Sequence, residues 1–167
     1  MKVLVAEDET IIRLDLRGLL ERNGFEVEEA RDGDEAVRVA RDAAPDAAVL
    51  DLRMPVLDGI EAARRIYAER PIPIVMLTAH SDRRFVERAI EAGVFTYLVK
   101  PFREADVVPA IHAASARHAE LLAARRTLGS TTPQTVELDL PSPSGYSWPL
   151  RVERREDGSL DIRVAPG

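Results

Sequence analysis

Several short apolar runs each end in a residue able to take part in chemistry. Glu7 and Asp8 follow Val3–Ala6, Asp51 follows Ala47–Leu50, Thr78 follows Ile72–Leu77, and Lys100 follows Phe95–Val99. Three carboxylates drawn together repel, and like charges a few Å apart raise a carboxyl pKa unless something compensates them. A hard divalent cation with oxygen ligands and retained waters, Mg2+, is the natural compensator. Lys100 would add a fixed positive charge and Thr78 a hydroxyl donor. A cation, an ammonium and a hydroxyl around a central carboxylate make a cradle for the three oxygens of a phosphoryl group. Each residue alone has a plainer reading. Glu7 and Asp8 could be solvated loop acids, Thr78 a turn residue, Tyr97 core and Lys100 surface. Their meeting at one rim favours the phosphoryl cradle over these separate roles.

The elements between them say whether they can meet. Val3–Ala6, Ala47–Leu50 and Ile72–Leu77 are almost wholly apolar, as strands covered on both faces must be. Phe25-Glu26-Val27-Glu28 alternates, which predicts an edge strand with one wet face. Between the runs lie amphipathic stretches with helix-start signals, Asp32 followed three residues later by Glu35, and Ser81 before Asp82. Gly24 and Gly93 stand where helices should end. Five strands alternating with helices predict an α/β fold with a doubly wound parallel sheet. Ligands of such sheets bind beyond the carboxyl ends of the strands, which is where the named residues fall.

Composition narrows the class. The chain has 167 residues, 46% of them apolar, and a net charge of −6 from 23 basic and 29 acidic side chains. An acidic balance disfavours broad binding to a phosphate backbone. The absence of cysteine excludes a disulfide framework, a thiolate metal site and a cysteine nucleophile. No apolar run approaches the roughly 20 residues that span a bilayer, so no membrane role is expected. The first residues, Met1 to Ala6, are followed at once by Glu7-Asp8-Glu9, too short and too acidic for a signal peptide, and the expected compartment is cytoplasmic. The histidines His80, His112 and His118 share no metal-ligand spacing. His80, two residues after Thr78, could affect water access but reads better as a loop residue.

Taken together, Glu7-Asp8, the run Asp51-Leu52-Arg53-Met54-Pro55-Val56-Leu57-Asp58-Gly59, Thr78-Ala79, Tyr97 and Lys100-Pro101-Phe102 resemble the response-regulator receiver family of two-component signalling. The resemblance covers about residues 1 to 125. It implies a flavodoxin-like, five-stranded sheet of order 2-1-3-4-5. It also implies that Asp51 is the phosphoacceptor of a histidine kinase. Asp8 and Asp51 would bind Mg2+ directly with the backbone carbonyl of Arg53, and Glu7 largely through water. Lys100 would bridge to the acyl phosphate, Thr78 and Tyr97 would form the switch pair, and Lys100–Pro101 would be cis. An aspartyl-phosphate phosphatase on a similar sheet would need a second carboxylate two residues after the nucleophile, where Arg53 stands. A phosphoacceptor signalling domain is therefore expected rather than an enzyme.

The last helical pattern runs from about Glu104 to Leu128, with Pro109 expected to kink its first turns. Val107, Ile111, Ala114, His118, Leu121, Arg125 and Leu128 repeat at alternating steps of four and three. Such a heptad stripe suits a homodimer seam through the last helix, or a single helix whose first half packs on the sheet and whose second half lies against the tail. The wording of the receiver is most similar to receivers that carry ANTAR modules, short helical RNA-binding domains. Residues 129–167 do not fit such a module. Pro133, Pro141, Pro143, Pro149 and Pro166 break long helices, and four arginines face six acids. No DNA binding is expected, and RNA binding is not expected either. Val136–Leu140 alternates like a strand, and a Glu156-Asp157-Gly158 loop would pair Val152 with Ile162 and Leu150 with Val164. The expected division is a receiver with extended last helix at 1–125, a linker at 126–134 and a β-rich appendage at 135–167. The expected function is a response regulator acting through partner contact or dimerisation. The alternative is an antitermination regulator whose RNA-binding output is lost or replaced.

Overall fold

A computed structural model describes residues 1–79, 88–89, 92–127, 135–141, 147–154 and 160–164, with side chains described as far as residue 124. Strands β1 (Lys2–Ala6), β2 (Glu26–Ala30), β3 (Ala47–Asp51), β4 (Ile74–Thr78) and β5 (Val94–Val99) form one parallel sheet in the order β2-β1-β3-β4-β5. Helices α1 (Thr10–Arg22), α2 (Gly33–Ala43) and α3 (Gly59–Glu69) alternate with the strands, and α4 (Glu104–Thr127) follows β5. The order is the one the resemblance implies. β2 lies at the edge, as its alternating glutamates predict, and Glu26 is exposed while Ala30 is buried.

Strand periodicity sorts the core into two layers. Leu4, Ala6, Leu50, Ile74 and Met76 pack with Ala36, Ala40, Ile60 and Ile66 of α2 and α3. Val3, Val5, Val49, Val75 and Leu77 turn the other way, onto Leu16 and Leu20 of α1 and Val107, Ile111 and Ala114 of α4. Each fully buried side chain of this kind contributes about 1.5–3 kcal/mol from apolar transfer. The helix starts follow local chemistry. The carboxylates of Asp32 and Asp58 accept hydrogen bonds from the backbone N–H of Glu35 and Glu61, each at 2.8 Å, and cap α2 and α3. Gly24 and Gly93 adopt φ of 83° and 85°, the left-handed region that closes a helix and turns the chain into the next strand.

Three strands follow α4, namely β6 (Thr135–Pro141), β7 (Ser147–Arg154) and β8 (Leu160–Val164). They form a second, antiparallel sheet in chain order. Val152 pairs with Ile162 and Leu150 with Val164, the register expected of the hairpin. Its loop at Glu156-Asp157-Gly158, the helix start at Ser81, His80 and Leu128 lie outside the described residues.

The dimer seam expected along the last helix needs correcting. Val107, Ile111 and Ala114 are fully buried, and His118 and Leu121 nearly so, all within this chain. The ring of His118 meets Phe95 and Tyr67 edge-on, with centroids 5.2 and 5.9 Å apart. The stripe from 107 to 121 therefore belongs to the core and is not available to a second copy. A helix on a sheet and a helix in a coiled coil need the same apolar repeat, and here the sheet takes it.

Candidate functional site

Strand register brings the expected residues to one edge. Leu50 of β3 lies between Ala6 of β1 and Met76 of β4, so Glu7 and Asp51 each leave their strand at the same level. Thr78 pairs with Val99, which places Lys100 immediately beyond the same edge. Its backbone N–H donates to the Thr78 carbonyl at 2.7 Å, and the Lys100–Pro101 bond is cis.

Glu7 and Asp51 are buried and Asp8 is exposed, with one carboxylate oxygen from each within 4.8 Å of the others. The ammonium of Lys100 sits 2.7 Å from Oε2 of Glu7 and 2.7 Å from Oδ1 of Asp51. The second oxygen of each buried carboxylate also has a donor. Glu9 N–H reaches Oε1 of Glu7 at 3.2 Å, and Arg53 N–H reaches Oδ2 of Asp51 at 2.9 Å. Burial pushes the Glu7 carboxyl above its ordinary range; the Lys100 hydrogen bond opposes this, and the charge of Asp51 adds to it. Partial burial disfavours the charged Lys100, but its hydrogen bonds to Asp51 and Glu7 outweigh that and raise its pKa. The pocket thus holds more negative charge than one ammonium neutralises. Hard oxygen donors from three carboxylates converging on one point suit a divalent cation such as Mg2+.

A family model described as the response regulator receiver domain matches residues 3–112. The chain belongs to that family. The receiver is 50% identical over 123 residues to the transcriptional regulatory protein PdtaR of Mycobacterium tuberculosis (strain ATCC 25618 / H37Rv), a match covering 73% of this chain and 60% of PdtaR. This chain thus spans less than two thirds of that relative's length. Two solved structures share the receiver fold. The signal receiver domain of a modulated diguanylate cyclase from Desulfovibrio desulfuricans G20 gives a TM-score of 0.65 at 34% identity, covering 72% of this chain and 97% of that one. The Vibrio cholerae chemotaxis protein CheY4 gives 0.65 at 31%, covering 68% and 97%. A receiver is a signalling domain rather than a catalytic family. No described helix is long and apolar enough to cross a membrane.

Within the receiver, Thr78 is fully buried at the end of β4. Tyr97, half-buried on β5 opposite Met76, packs against the α2–α3 side of the core. Two features escaped the sequence reading. Arg13 of α1 is 8% exposed and donates from Nη1 to the Glu7 carbonyl at 2.7 Å, while its Nε lies 3.3 Å from Glu29. A signal existed: Arg13 lies three residues before Leu16 and seven before Leu20, on the buried face, while Ile11 and Leu14 point outward. The second is Val56, which adopts φ 67° in the loop after Asp51, bracketed by a Leu57 N–H to Pro55 carbonyl bond of 2.7 Å. A β-branched residue there is strained, and at 83% exposure Val56 makes no packing that would compensate.

Proposed function

We propose that the chain is a two-component response regulator in which Asp51 accepts a phosphoryl group from a phosphohistidine of a histidine kinase. An oxygen of the Asp51 carboxylate attacks phosphorus, the P–N bond to the donor imidazole breaks, and the new P–O bond makes a mixed anhydride. The observation that carries this reading is the environment of Asp51. It is a buried carboxylate at a strand end, with Lys100 on one oxygen, a backbone N–H on the other, and the acids Glu7 and Asp8 beside it.

Mg2+ would be held by Asp8, Asp51 and the Arg53 carbonyl, with Glu7 acting largely through water. The cation supplies charge neutralisation for the incoming phosphoryl oxygens. Lys100 would exchange a carboxylate partner for a phosphoryl oxygen. Thr78 would offer its hydroxyl to the same group and, with Tyr97, report the change to the β5 face. Output then runs through a partner or self-association rather than DNA. A second reading, an antitermination regulator whose RNA-binding output is lost or replaced, draws support from the 50% identity to a protein named as a transcriptional regulator.

The test is phosphorylation by a small acyl-phosphate donor with magnesium, read by intact mass. The wild type should gain one phosphoryl group and Asp51→Asn none, because an amide cannot form the mixed anhydride. Labelling of Asp51→Asn at the wild-type rate would place the acceptor elsewhere. Specific binding of RNA by the full chain would favour the second reading of the output.

A further inference from the structure

The small sheet sorts its residues by chemistry. Alternation along each strand and the register between strands set Val136 opposite Val152 and Ile162, and Leu138 opposite Leu150 and Val164. These two apolar rows cross all three strands on one face, and the Leu140–Trp148 pair extends it. The positions between them carry Glu137, Arg151 and Arg163 in one row and Glu153 with Asp161 in another. One face is thus apolar except for Arg154, which pairs with Leu160 at its end, and the other is mostly polar. A three-stranded antiparallel sheet of this pattern needs a cover for its apolar face.

The described part of the receiver offers an apolar groove lined by Ile12, Leu16, Leu19 and Phe102, at α1 and the start of α4 rather than at β5, where β6 lies. Both faces of its parallel sheet carry their own helices, and the apolar stripe of α4 is buried there. Its exposed large apolar side chains are Met1, Ile11, Leu14, Val56 and Val99, scattered over the N-terminus, α1, the loop after Asp51 and β5. Of the three strands, the edge strand β6 comes closest to the receiver, beside β5.

We propose that the apolar face of β6–β7–β8 is a dimer interface that packs on the same face of a second copy, making a six-stranded β-sandwich. Area supports that occupant. Full burial removes about 60–120 Å² of apolar surface per Val, Leu or Ile side chain. The eight residues of the two rows and the added pair then come to about 500–1,000 Å² per copy, around the ~800 Å² per partner of a standard interface. Symmetry supports it too. A two-fold contact sets each face on itself, so the uncharged rows meet uncharged rows, Arg154 stands at the rim, and the other charged residues stay on the two outer faces. Two such sheets would stack about 10 Å apart with strands nearly aligned.

Sedimentation of the full chain tests the interface. The wild type should sediment as a dimer at tens of micromolar and dissociate on dilution. Leu150→Glu places an unpaired carboxylate at the centre of the apolar face and should raise the dimer dissociation constant at least about a hundredfold. Arg151→Glu changes the adjacent residue of the same strand on the polar face and should leave that constant within about threefold, since exposed charges contribute little. The Arg151→Glu control separates loss of the interface from general disturbance of β7. A wild type that stays monomeric throughout would overturn the proposal and point to the receiver or a different protein as the cover. A dimer unaffected by Leu150→Glu, or equally weakened by both variants, would overturn it as well.

Discussion

Nζ of Lys100 stands 2.7 Å from Oδ1 of Asp51, reaching past β4 from the end of β5 to the end of β3. The same ammonium lies 2.7 Å from Glu7, so one cation holds two buried carboxylates before any phosphoryl group arrives. Its bridging to an acyl phosphate would be an exchange of partners rather than a first contact. Lys100→Met should therefore destabilise the metal-free fold by about 1–3 kcal/mol, in the range of a lost partly buried ion pair. Magnesium should recover more stability in the variant than in the wild type, because it then replaces the missing cation. Urea unfolding with and without magnesium checks this, and equal stabilities without metal would refute it.

The loop after Asp51 depends on close backbone contacts. A Cβ on Gly59 would clash with the Asp51 carbonyl oxygen, and one on Gly33 with the Leu57 carbonyl oxygen. Neither neighbour is a flexible side-chain end, so backbone must move. Gly59→Ala should cost about 1–3 kcal/mol through overpacking and slow phosphorylation of Asp51 by more than about tenfold. Gly18→Ala is the contrast, since its Cβ would meet only the end of the Arg22 side chain at 3.3 Å. In mid-helix it should stabilise by up to about 1 kcal/mol and leave phosphorylation alone.

The start of α2, which abuts that loop through Gly33, has its own pH signature. The side-chain hydrogen bond from Arg31, followed by the Arg31 backbone N–H at 2.8 Å, holds the Glu35 carboxyl below its ordinary value of 4.5. A depressed acid contributes stability that is present above the unfolded pKa and is lost as pH falls through the folded one. Glu35→Gln should thus cost about 0.5–1 kcal/mol at neutral pH, a typical helix-start contribution. The difference between wild type and variant should shrink once pH drops below about 4.5 and vanish below the folded value. Thermal unfolding from pH 7 to pH 3 measures it, and a difference that grows towards acid would contradict the assignment.

Core burial of the α4 stripe changes what its variants should do. Ile111 is fully buried and Leu121 is 4% exposed. Ile111→Ala should cost about 2–5 kcal/mol as a cavity in the core. Leu121→Glu should destabilise the receiver rather than split a dimer. Chemical unfolding together with sedimentation separates the two. A folded, fully stable Leu121→Glu monomer from a dimeric wild type would restore the helix seam.

Much of this protein could be read from local pattern. Unbroken apolar runs mark β1, β3 and β4 because a parallel sheet covered on both faces excludes polar residues, and alternation marks β2 as an edge. Asp32 and Glu35 mark the start of α2 because capping is decided within four residues. The site residues could be named because a parallel sheet sends every strand's carboxyl end to one edge, whatever the chain separation. The hairpin register was legible because one pairing alone keeps apolar residues on one face. What tertiary structure decided lies where one pattern serves two arrangements. The four-three repeat of α4 suits a second helix or a sheet equally, and only the position of α4 over β3, β4 and β5 assigns it to the sheet. An arginine beside apolar residues reads as surface, until the fold turns Arg13 inward to the Glu7 carbonyl and leaves Ile11 and Leu14 outside. In both cases spacing fixes which residues share a face, and the distant chain that meets the face fixes its role.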